Sequence, residues 1–317
     1  MKATSTDTNI SELSCRVCSR MRPPSFTANG AETVGIDLDM AVGASVGSNV
    51  HTWNETDVVI YHLGLGAGHE PTDPKQLRYV LADRLRVLPT YAVIPGSEGT
   101  RGFRNVPGLE FDPNRMLHGE HEIRIEKPIA TSGTVRTDGT IAAIYDKGHA
   151  ALTVMEAASY DENGDLAFVN RFSVFMRGAG GFGGPPGPKA SSQSTPDREP
   201  DATFEMATVP QQALIYRLSG DVNPIHSDPE IARKAGFDQP ILHGLCTFGM
   251  VCRGVVDTML GGEVEAVRSY RSRFAGPVLP GETVVVRVWE EGQTRLIEAS
   301  VRERGKTVLT RGVIETR

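Results

Sequence analysis

The feature of this sequence that most constrains its fold is an internal duplication. Four short motifs occur twice in the same order along the chain. They are residues 61–64 (YHLG) and 216–219 (YRLS), 72–74 (TDP) and 227–229 (SDP), 117–119 (LHG) and 242–244 (LHG), and 127–129 (KPI) and 276–278 (GPV). The first two pairs share an offset of 155 residues without a gap. The chain is therefore expected to contain two similarly folded units.

The two units are separated by a segment with the composition of a linker. Residues 184–201 are rich in Gly, Pro, Ser and charged residues and show no hydrophobic periodicity. We therefore predict an N-terminal half over residues 36–183 and a C-terminal half over residues 202–317. Residues 1–35 are polar and lack the apolar core of a secretory signal, so they are predicted to form a disordered tail.

Overall charge and hydrophobicity limit the class of protein. The 317 residues include 33 Lys and Arg against 39 Asp and Glu, a net charge of −6, whereas a nucleic-acid-binding protein usually carries a basic surface. No run of about 18 apolar residues is present, so no interaction with a membrane is expected. Without a secretory signal or a peroxisomal Ser-Lys-Leu ending, the expected location is the cytoplasm.

The C-terminal half predicts one buried helix beside an antiparallel sheet. Residues 244–260 (GLCTFGMVCRGVVDTML) are apolar on nearly every face, as in a helix that is buried on all sides. The segments that follow, 282–289, 295–301 and 307–314, are rich in β-branched residues and separated by turn signals. The pattern indicates a sheet wrapped round a helix, and hence an α+β fold.

The N-terminal half lacks such a helical segment at the corresponding place. Gly119 is 9 positions before Pro128, whereas Gly244 is 33 positions before Pro277. The central helix of this half is therefore predicted to be reduced or missing, which would leave an apolar groove for a long or bulky ligand. The longer segment between residues 74 and 117 is the alternative occupant of that space.

The residues best suited to chemistry lie in one polar segment, 220–229 (GDVNPIHSDP). Asp221 and His226 are five residues apart, and the Asn223-Pro224 pair between them favours a turn, so both side chains could act on one water molecule. Such a pair can take a proton from water and return one to a neighbouring carbon. An Asx turn with a surface histidine is the alternative interpretation.

The duplication favours the catalytic interpretation of this segment. At the offset of 155 residues, the N-terminal copy keeps the surrounding frame but has other residues at the three polar positions. Asp221, Asn223 and His226 correspond to Gly66, Gly68 and Pro71. If the polar side chains only built the turn, both copies would need them, so their loss from one copy indicates a single active site per duplicated chain.

The C-terminal LHG motif stands immediately before the predicted buried helix. The amide of Gly244 would therefore be one of the unpaired donors at a helix N-terminus, where the helix dipole also favours negative charge. Such a donor suits a developing oxyanion, and glycine lets a carbonyl group approach closely. His243 is expected to have a structural role in the turn.

Two other motifs do not support a cofactor or a metal. Residues 178–183 match GxGxxG, but Pro185 and Pro186 follow at once and exclude the helix that should receive a pyrophosphate. His118 and His121 have the spacing of metal ligands, yet the sequence offers no further ligands around them as zinc requires. We therefore expect neither a resident cofactor nor a metal.

Residues 216–249 (YRLSGDVNPIHSDPEIARKAGFDQPILHGLCTFG) resemble the signature of the MaoC-like (R)-specific enoyl-CoA hydratases, called enoyl-CoA hydratase 2. The resemblance extends into the N-terminal half through ETDVVIYHLGLGAG, LHGE, DKG and GAGGFGG, so it covers about residues 36–317. The chain is similar to the hydratase region of the peroxisomal multifunctional enzyme type 2. The resemblance implies a double hot-dog fold, with acyl and CoA sites in the N-terminal half and catalytic residues in the C-terminal half.

The resemblance also implies roles for individual residues. The catalytic group would be Asp221, His226, Asn223 and Gly244. Contacts with the substrate would come from His118, Gly119, Lys147, Asp221, Val222, Asn223, Pro224, Ile225, His226, Gly244 and Phe274. The residues expected to support the catalytic residues without contacting the substrate are Tyr216, Arg217 and Glu55. Lys147 would supply positive charge for the phosphates of CoA.

The implied activity is reversible syn addition of water to a trans-2-enoyl-CoA, giving the (3R)-3-hydroxyacyl-CoA. Which of Asp221 and His226 acts as base stays open, because a water shared by both couples their titrations. CoA belongs to the substrate, and a homodimer is expected. The alternatives are a hot-dog acyl-CoA thioesterase, a (3R)-hydroxyacyl-thioester dehydratase for acyl-carrier-protein or steroid side-chain substrates, and a non-catalytic acyl-CoA-binding subunit. The preferred acyl group is open.

Overall fold

The computed structural model describes residues 35–188 and 195–317. The predicted tail lies outside these residues except for Gly35, and part of the predicted linker, residues 189–194, also lies outside them. All of the described residues belong to one compact unit, so the two halves share a single body.

The N-terminal half combines long strands with short helices. Its strands are β1 (Gly35–Ile36), β2 (Ser45–Trp53), β3 (Leu109–Glu110), β4 (Met116–Ile125), β5 (Gly133–Asp146), β6 (Ala150–Tyr160) and β7 (Leu166–Arg177). Its helices are α1 (Leu38–Ala41), α2 (Glu55–Gly64), α3 (Pro74–Leu77) and α4 (Val93–Glu98).

The C-terminal half has a similar order of elements around one long helix. Its strands are β8 (Ala202–Ala207), β9 (Val267–Phe274), β10 (Thr283–Glu291), β11 (Thr294–Val301) and β12 (Lys306–Thr316). Its helices are α5 (Gln212–Tyr216), α6 (Pro229–Lys234) and α7 (Gly244–Met259).

Both halves contribute to one ten-stranded antiparallel sheet. Its strand order is β2-β5-β6-β7-β4-β9-β12-β11-β10-β8. The second five strands repeat the first five in reverse, so the sheet has a pseudo-twofold axis between β4 and β9. These two central strands pair directly, with Ile123 opposite Tyr270. The α+β double hot-dog fold and the duplication are thereby confirmed.

The repeat with an offset of 155 residues has a structural basis. Asp73 caps α3 and Asp228 caps α6, and in both helices the residue after the cap is proline. Proline suits this position because its missing N–H would have no partner there. Tyr61 of α2 and Tyr216 of α5 are both buried, and their ring centroids lie 5.9 Å apart. The corresponding helices therefore meet near the pseudo-twofold axis.

One of the four motif correspondences is wrong. Residues 117–119 lie inside strand β4, whereas residues 242–244 lead into helix α7. The KPI and GPV motifs do correspond, because they follow β4 and β9. The N-terminal central helix is therefore not deleted after Gly119. It is reduced, as predicted, and its place is taken by the short helix α4.

The segment between residues 74 and 117 fills much of the space that the reduced helix leaves. Helix α4 packs on strands of the N-terminal half, and Leu88, Tyr91 and Val93 belong to the main hydrophobic core. Phe103 and Phe111 lie in a second core cluster, with ring centroids 5.1 Å apart. The groove expected from the sequence is thus largely covered by the chain itself.

Helix α7 is buried on nearly all sides, as predicted. All residues from 246 to 256 are buried. A β-carbon at Gly249 would lie 2.7 Å from Leu65, and one at Gly254 would overlap the ring of Phe204. The two glycines therefore let both halves approach the helix closely. None of the helices within residues 35–188 and 195–317 has the length and apolarity needed to cross a bilayer.

Candidate active site

The segment that carries Asp221 is a tight loop, which is stabilised by hydrogen bonds between its own side chains and its main chain. It begins at Gly220, whose φ of +121° is accessible mainly to glycine. Asp221 Oδ1 accepts the amide of Asn223 at 3.1 Å, and Asn223 Oδ1 accepts the amide of Ile225 at 3.2 Å. The Asx turn considered from the sequence is therefore real, but it leaves one oxygen of Asp221 and the side-chain amide nitrogen of Asn223 outside the turn.

The remaining loop residues differ in exposure. Val222 is exposed at 47%, while Pro224 and Ile225 are half-buried in the turn that leads to His226. Val222 thus presents an apolar side chain beside the polar groups. The loop offers a surface on which an apolar chain and a reactive polar group can lie side by side.

The tautomer of His226 is fixed by a residue distant in sequence. Its Nδ1 atom lies 2.9 Å from the carbonyl oxygen of Ile241. A carbonyl only accepts hydrogen bonds, so Nδ1 carries the proton and Nε2 keeps its lone pair. Burial lowers the pKa of His226 below 6.5, against the opposing effect of Asp221 and of this hydrogen bond. His226 is therefore a neutral imidazole with a free basic nitrogen.

His243 is packed against both members of the predicted pair. Its ring stacks on His226 with a centroid distance of 3.7 Å, and its Nε2 donates to the main-chain carbonyl of Asp221 at 3.0 Å. Burial, and next the proximity of His226, lower the pKa of His243 to about 4. A ligand atom from each of Asp221, His226 and His243 lies within 4.8 Å of the other two.

The residue types of this cluster could bind a metal ion or transfer protons. The carbonyl of Ile241 fixes the proton of His226 on Nδ1, and the carbonyl of Asp221 fixes the proton of His243 on Nε2, so each ring keeps one nitrogen lone pair. A neutral imidazole with a free lone pair beside a carboxylate is suited to proton transfer.

Gly244 is the first residue of α7, as the sequence indicated. Its amide has no acceptor within the helix, and the residue is exposed. A β-carbon at this position would lie 3.2 Å from the ring of Phe274. The N-terminus of α7 therefore lies against Phe274 and, through His243, beside the loop of Asp221.

A β-bulge brings His118 to the same region. Between His118 and Glu120 the register of β4 against β7 shifts by one residue, which leaves Gly119 as the extra residue. Side chains normally alternate across a strand, so His118 and His121 would face opposite sides without this bulge. Instead their rings are 5.4 Å apart, and His118 lies 4.9 Å from Phe274.

His118 is close enough to Asp221, in the candidate catalytic loop of residues 220–229, for the carboxylate to affect its pKa. Burial lowers its pKa to about 4, while the main chain of Glu120 and the charge of Asp221 act in the opposite direction. Nε2 of His121 donates to Oδ1 of Asn170 at 3.2 Å, and the amide nitrogen of Asn170 donates to the carbonyl of Ala92. A hydrogen-bonded chain therefore runs from His121 through Asn170 to Ala92 within the N-terminal half.

Lys147 lies in the turn between β5 and β6, apart from this cluster. Its ammonium group donates to the carbonyl of Pro186 and lies 5.7 Å from the ring of Tyr145. The adjacent Asp146 carboxylate accepts the amides of Gly148 at 2.8 Å and of Gly181 and Gly183 at 2.9 Å each. The main-chain amides of the glycine-rich loop thus bind a carboxylate of the same chain.

The three residues predicted to support the site differ in their exposure and in their contacts with it. Tyr216 is buried with its ring 4.9 Å from His243, and the charge of Arg217 contributes to the lowered pKa of His243. Glu55 is exposed in the first turn of α2, nine residues before Gly64, where α2 contacts Tyr216. Among the described residues, no side-chain hydrogen bond or ion pair joins Glu55 to the cluster.

Three contributors were not identified from the sequence. His243 was interpreted as a residue of the turn, although the LHG motif that contains it was recognised. His121 was noted only for its spacing from His118, and Asn170 carried no signal. The bulge that positions the histidines cannot be predicted from residue types alone. Their placement depends on strand pairing.

A cavity of about 310 Å³ lies at the other end of α7. Its walls include Leu85, Val87, Ile125, Ile129 and Val264. The helix of 16 residues that separates it from Gly244 is about 24 Å long at about 1.5 Å per residue. The cavity is therefore separate from the candidate active site.

Comparison with known proteins places both halves in described families. The MFE-2 hydratase 2 N-terminal domain matches residues 51–178, and the MaoC like domain matches residues 191–312. Enoyl-CoA hydratase ChsH3 of Mycobacterium tuberculosis is 41% identical over 280 residues, which cover 88% of this chain and 98% of that protein. The peroxisomal enoyl-CoA hydratase 2 of Arabidopsis thaliana is 38% identical, covering 88% of this chain and 95% of that protein.

A solved structure agrees with these sequence relationships. The crystal structure of a MaoC-like dehydratase from Phytophthora capsici superposes with a TM-score of 0.80 at 33% identity. The match covers 89% of this chain and 98% of the other. The architecture described above is thus shared over nearly the full length of both chains.

Proposed function

The chain belongs to the MaoC-like enoyl-CoA hydratase 2 family, and from this premise we propose that it is a hydro-lyase acting on acyl-CoA. It adds water reversibly to a trans-2-enoyl-CoA and gives the (3R)-3-hydroxyacyl-CoA. The observation that supports the proposal is that Asp221, His226 with its free Nε2, and the first residue of α7, Gly244, all adjoin His243. The reaction needs these three kinds of group.

The amide of Gly244 is the group that activates the substrate. It donates to the thioester carbonyl, and the dipole of α7 adds to the stabilisation of negative charge on that oxygen. Withdrawal of electrons through the conjugated double bond makes carbon 3 electrophilic. The ring of Phe274, in contact with Gly244, covers the carbonyl and limits access of other water molecules.

Asp221 and His226 handle the protons of the added water. One of them takes a proton from the water as the water oxygen bonds to carbon 3. A proton returns to carbon 2 from the same side, so the pair ends the cycle with its original number of protons. Asn223, whose side-chain nitrogen is outside the turn, helps to hold the water. No resident cofactor is needed, because CoA enters as part of the substrate.

Lys147 is proposed to contact the phosphates of CoA. Its ammonium group interacts with a carbonyl and an aromatic ring, and the neighbouring Asp146 carboxylate is occupied by main-chain amides. The positive charge of Lys147 is therefore available to an anion on a chain whose net charge is −6. His118, whose ring lies 4.9 Å from that of Phe274, and the neighbouring Gly119 are proposed to line the path of the acyl thioester.

The direct test is hydration of trans-2-decenoyl-CoA by the purified full-length chain. Loss of the enoyl-thioester absorbance with formation of the (3R)-hydroxy product supports the proposal, and the (3S) product contradicts its stereochemistry. Release of free CoA from decanoyl-CoA would instead identify the thioesterase alternative. If decenoyl-CoA is not converted, a steroid-type enoyl-CoA and an enoyl-acyl-carrier protein are tested next. Conversion of either would show a different substrate preference, and conversion of neither would show an inactive site.

The homodimeric state and the cytoplasmic location are further parts of the proposal. Light scattering coupled to size-exclusion chromatography gives the mass directly, and a single species of 34.2 kDa would contradict a dimer. Fluorescence microscopy of a tagged chain in its own cells tests the location.

A further inference from the structure

His243 contacts Asp221 and His226 and directly precedes Gly244 in the chain. It stands immediately before Gly244, and its carbonyl accepts the amides of Cys246 and Thr247 at the start of α7. Its ring stacks on His226, and its Nε2 holds the main chain of Asp221. Its exposed fraction is 1%, so its ring acts on these residues and does not reach bulk solvent.

We propose that His243 is a positioning residue of the hydratase: as a neutral imidazole it fixes the main chain of Asp221 and holds the ring of His226 in place. This inference rests on the proposed function, because it assigns His243 to the same site. His243 does not exchange protons with the substrate. Its role is to keep the distance between the two catalytic side chains constant.

The neutral state of His243 follows from its surroundings. The carbonyl of Asp221 requires a proton on Nε2, and a second ring proton would place two cationic rings at 3.7 Å if His226 were also charged. Tyr216 covers another side of the ring, and Arg217 adds positive charge nearby. The carboxylate of Asp221 acts in the opposite direction, but burial dominates.

The stacked ring also keeps water away from His226. Burial is the largest cause of the lowered pKa of His226, and part of that burial is the face covered by His243. Replacing the ring by a smaller side chain would let water reach this face. The pKa of His226 would then rise toward 6.5, the value of an unperturbed imidazole.

Two substitutions separate the hydrogen bond from the stacking. His243→Gln keeps a donor for the Asp221 carbonyl and loses the ring, whereas His243→Phe keeps a flat ring and loses the donor. The measurement is an NMR titration of His226 in the full chain without substrate, with its signal assigned by its loss in His226→Gln. His69→Gln, at an exposed histidine, is the control and should leave the titration of His226 unchanged.

The expected result is an upward shift of the His226 midpoint in His243→Gln and none in His243→Phe. In hydration assays His243→Phe should lower kcat by roughly tenfold to a hundredfold with little change in KM, because the Asp221 carboxylate is displaced. An unchanged His226 titration in a folded His243→Gln variant overturns the proposal. A His243 ring that is cationic, or protonated on Nδ1, in the wild-type chain at pH 6 also overturns the proposal. This measurement needs no variant.

The NMR measurements separate this inference from the proposed function. If the titrations agree and no enoyl-CoA is hydrated, the contacts of His243 are correct and the assigned reaction is wrong. If hydration occurs and the titrations disagree, the reaction stands and His243 has another role.

Discussion

At the scale of single residues, the site depends on side chains whose protonation is set by distant parts of the chain. The carbonyl of Ile241 fixes the proton on His226, and the carbonyl of Asp221 fixes that on His243. Burial keeps both rings neutral. Asp221 and His226 were identified from the sequence because polar residues are concentrated there, but their tautomers and contacts follow only from the folded chain.

Substitution of either member of the catalytic pair should lower turnover strongly. Asp221→Asn and His226→Gln are each expected to reduce kcat by at least about a hundredfold, because each removes a proton-transfer group. Asp221→Asn keeps an oxygen that can accept the amide of Asn223, so the loop should stay folded. The measurement is steady-state hydration combined with thermal unfolding.

Asp228→Asn is the matched control for this experiment. Asp228 lies in the same loop and caps α6, where Asn is about as good a cap as Asp, so activity and stability should change little. Near-normal turnover in Asp221→Asn or His226→Gln would remove that residue from the mechanism.

The buried histidines should make the protein sensitive to mild acid. Burial lowers the pKa of His62, His118 and His243 to about 4 each, below the value of about 6.5 expected in the unfolded chain. Between these values the unfolded state binds more protons, so the free energy of unfolding falls as pH decreases from 6.5 toward 4 and is constant above 6.5. Urea midpoints measured from pH 8 to pH 4.5 should show this decline, whereas flat midpoints would mean that the rings are protonated in the folded state.

At the scale of elements, β4 and α7 position the site. The bulge at Gly119 turns two histidines to one face, and the N-terminus of α7 presents Gly244 beside the catalytic loop. The burial of α7 was predictable from its apolar residues. The position of residues 117–119 was not, because an LHG motif has no periodicity that distinguishes a strand from the entry to a helix.

Gly119 should be intolerant of a side chain. Gly119→Ala places a β-carbon 2.6 Å from the ring of Phe175, and such overpacking typically costs about 1–3 kcal/mol. It should also move His118 and lower activity. Urea unfolding of Gly119→Ala gives the loss in stability.

Phe175→Leu provides the second arm of a double-mutant cycle with Gly119→Ala. Because it removes the clashing ring, the double variant should lose less stability than the sum of the two single variants. Simple additivity would show that the bulge is not held against Phe175.

At the scale of the whole molecule, the two halves are joined by the sheet and by a shared core. The pairing of β4 with β9 makes the sheet continuous, and α7 contacts both halves. Cys246 and Arg253 donate to main-chain carbonyls of residues Gly64 and Leu65 in the N-terminal half. The C-terminal half therefore holds the catalytic loop but not a complete environment for it.

Residues 202–317 alone should not form an active monomer. Removing the N-terminal half leaves the edge of β9 unpaired and exposes the face of α7 around Gly249, which favours self-association. Size-exclusion chromatography and hydration assays of this fragment test the prediction, with co-expression of residues 36–183 as the control that should restore activity. An active, monomeric fragment would contradict it.

The sequence by itself determined the duplication, the buried central helix and the one polar segment with catalytic potential, because these depend on residue type and spacing along the chain. Only the tertiary structure decided how residues far apart in sequence meet. The covering of the N-terminal sheet by α4, the bulge at Gly119 and the stacking of His243 on His226 all depend on contacts across 15 or more residues or on strand register. Such contacts leave no periodic pattern in the sequence. They form because many side chains from distant parts of the chain are buried together when the protein folds.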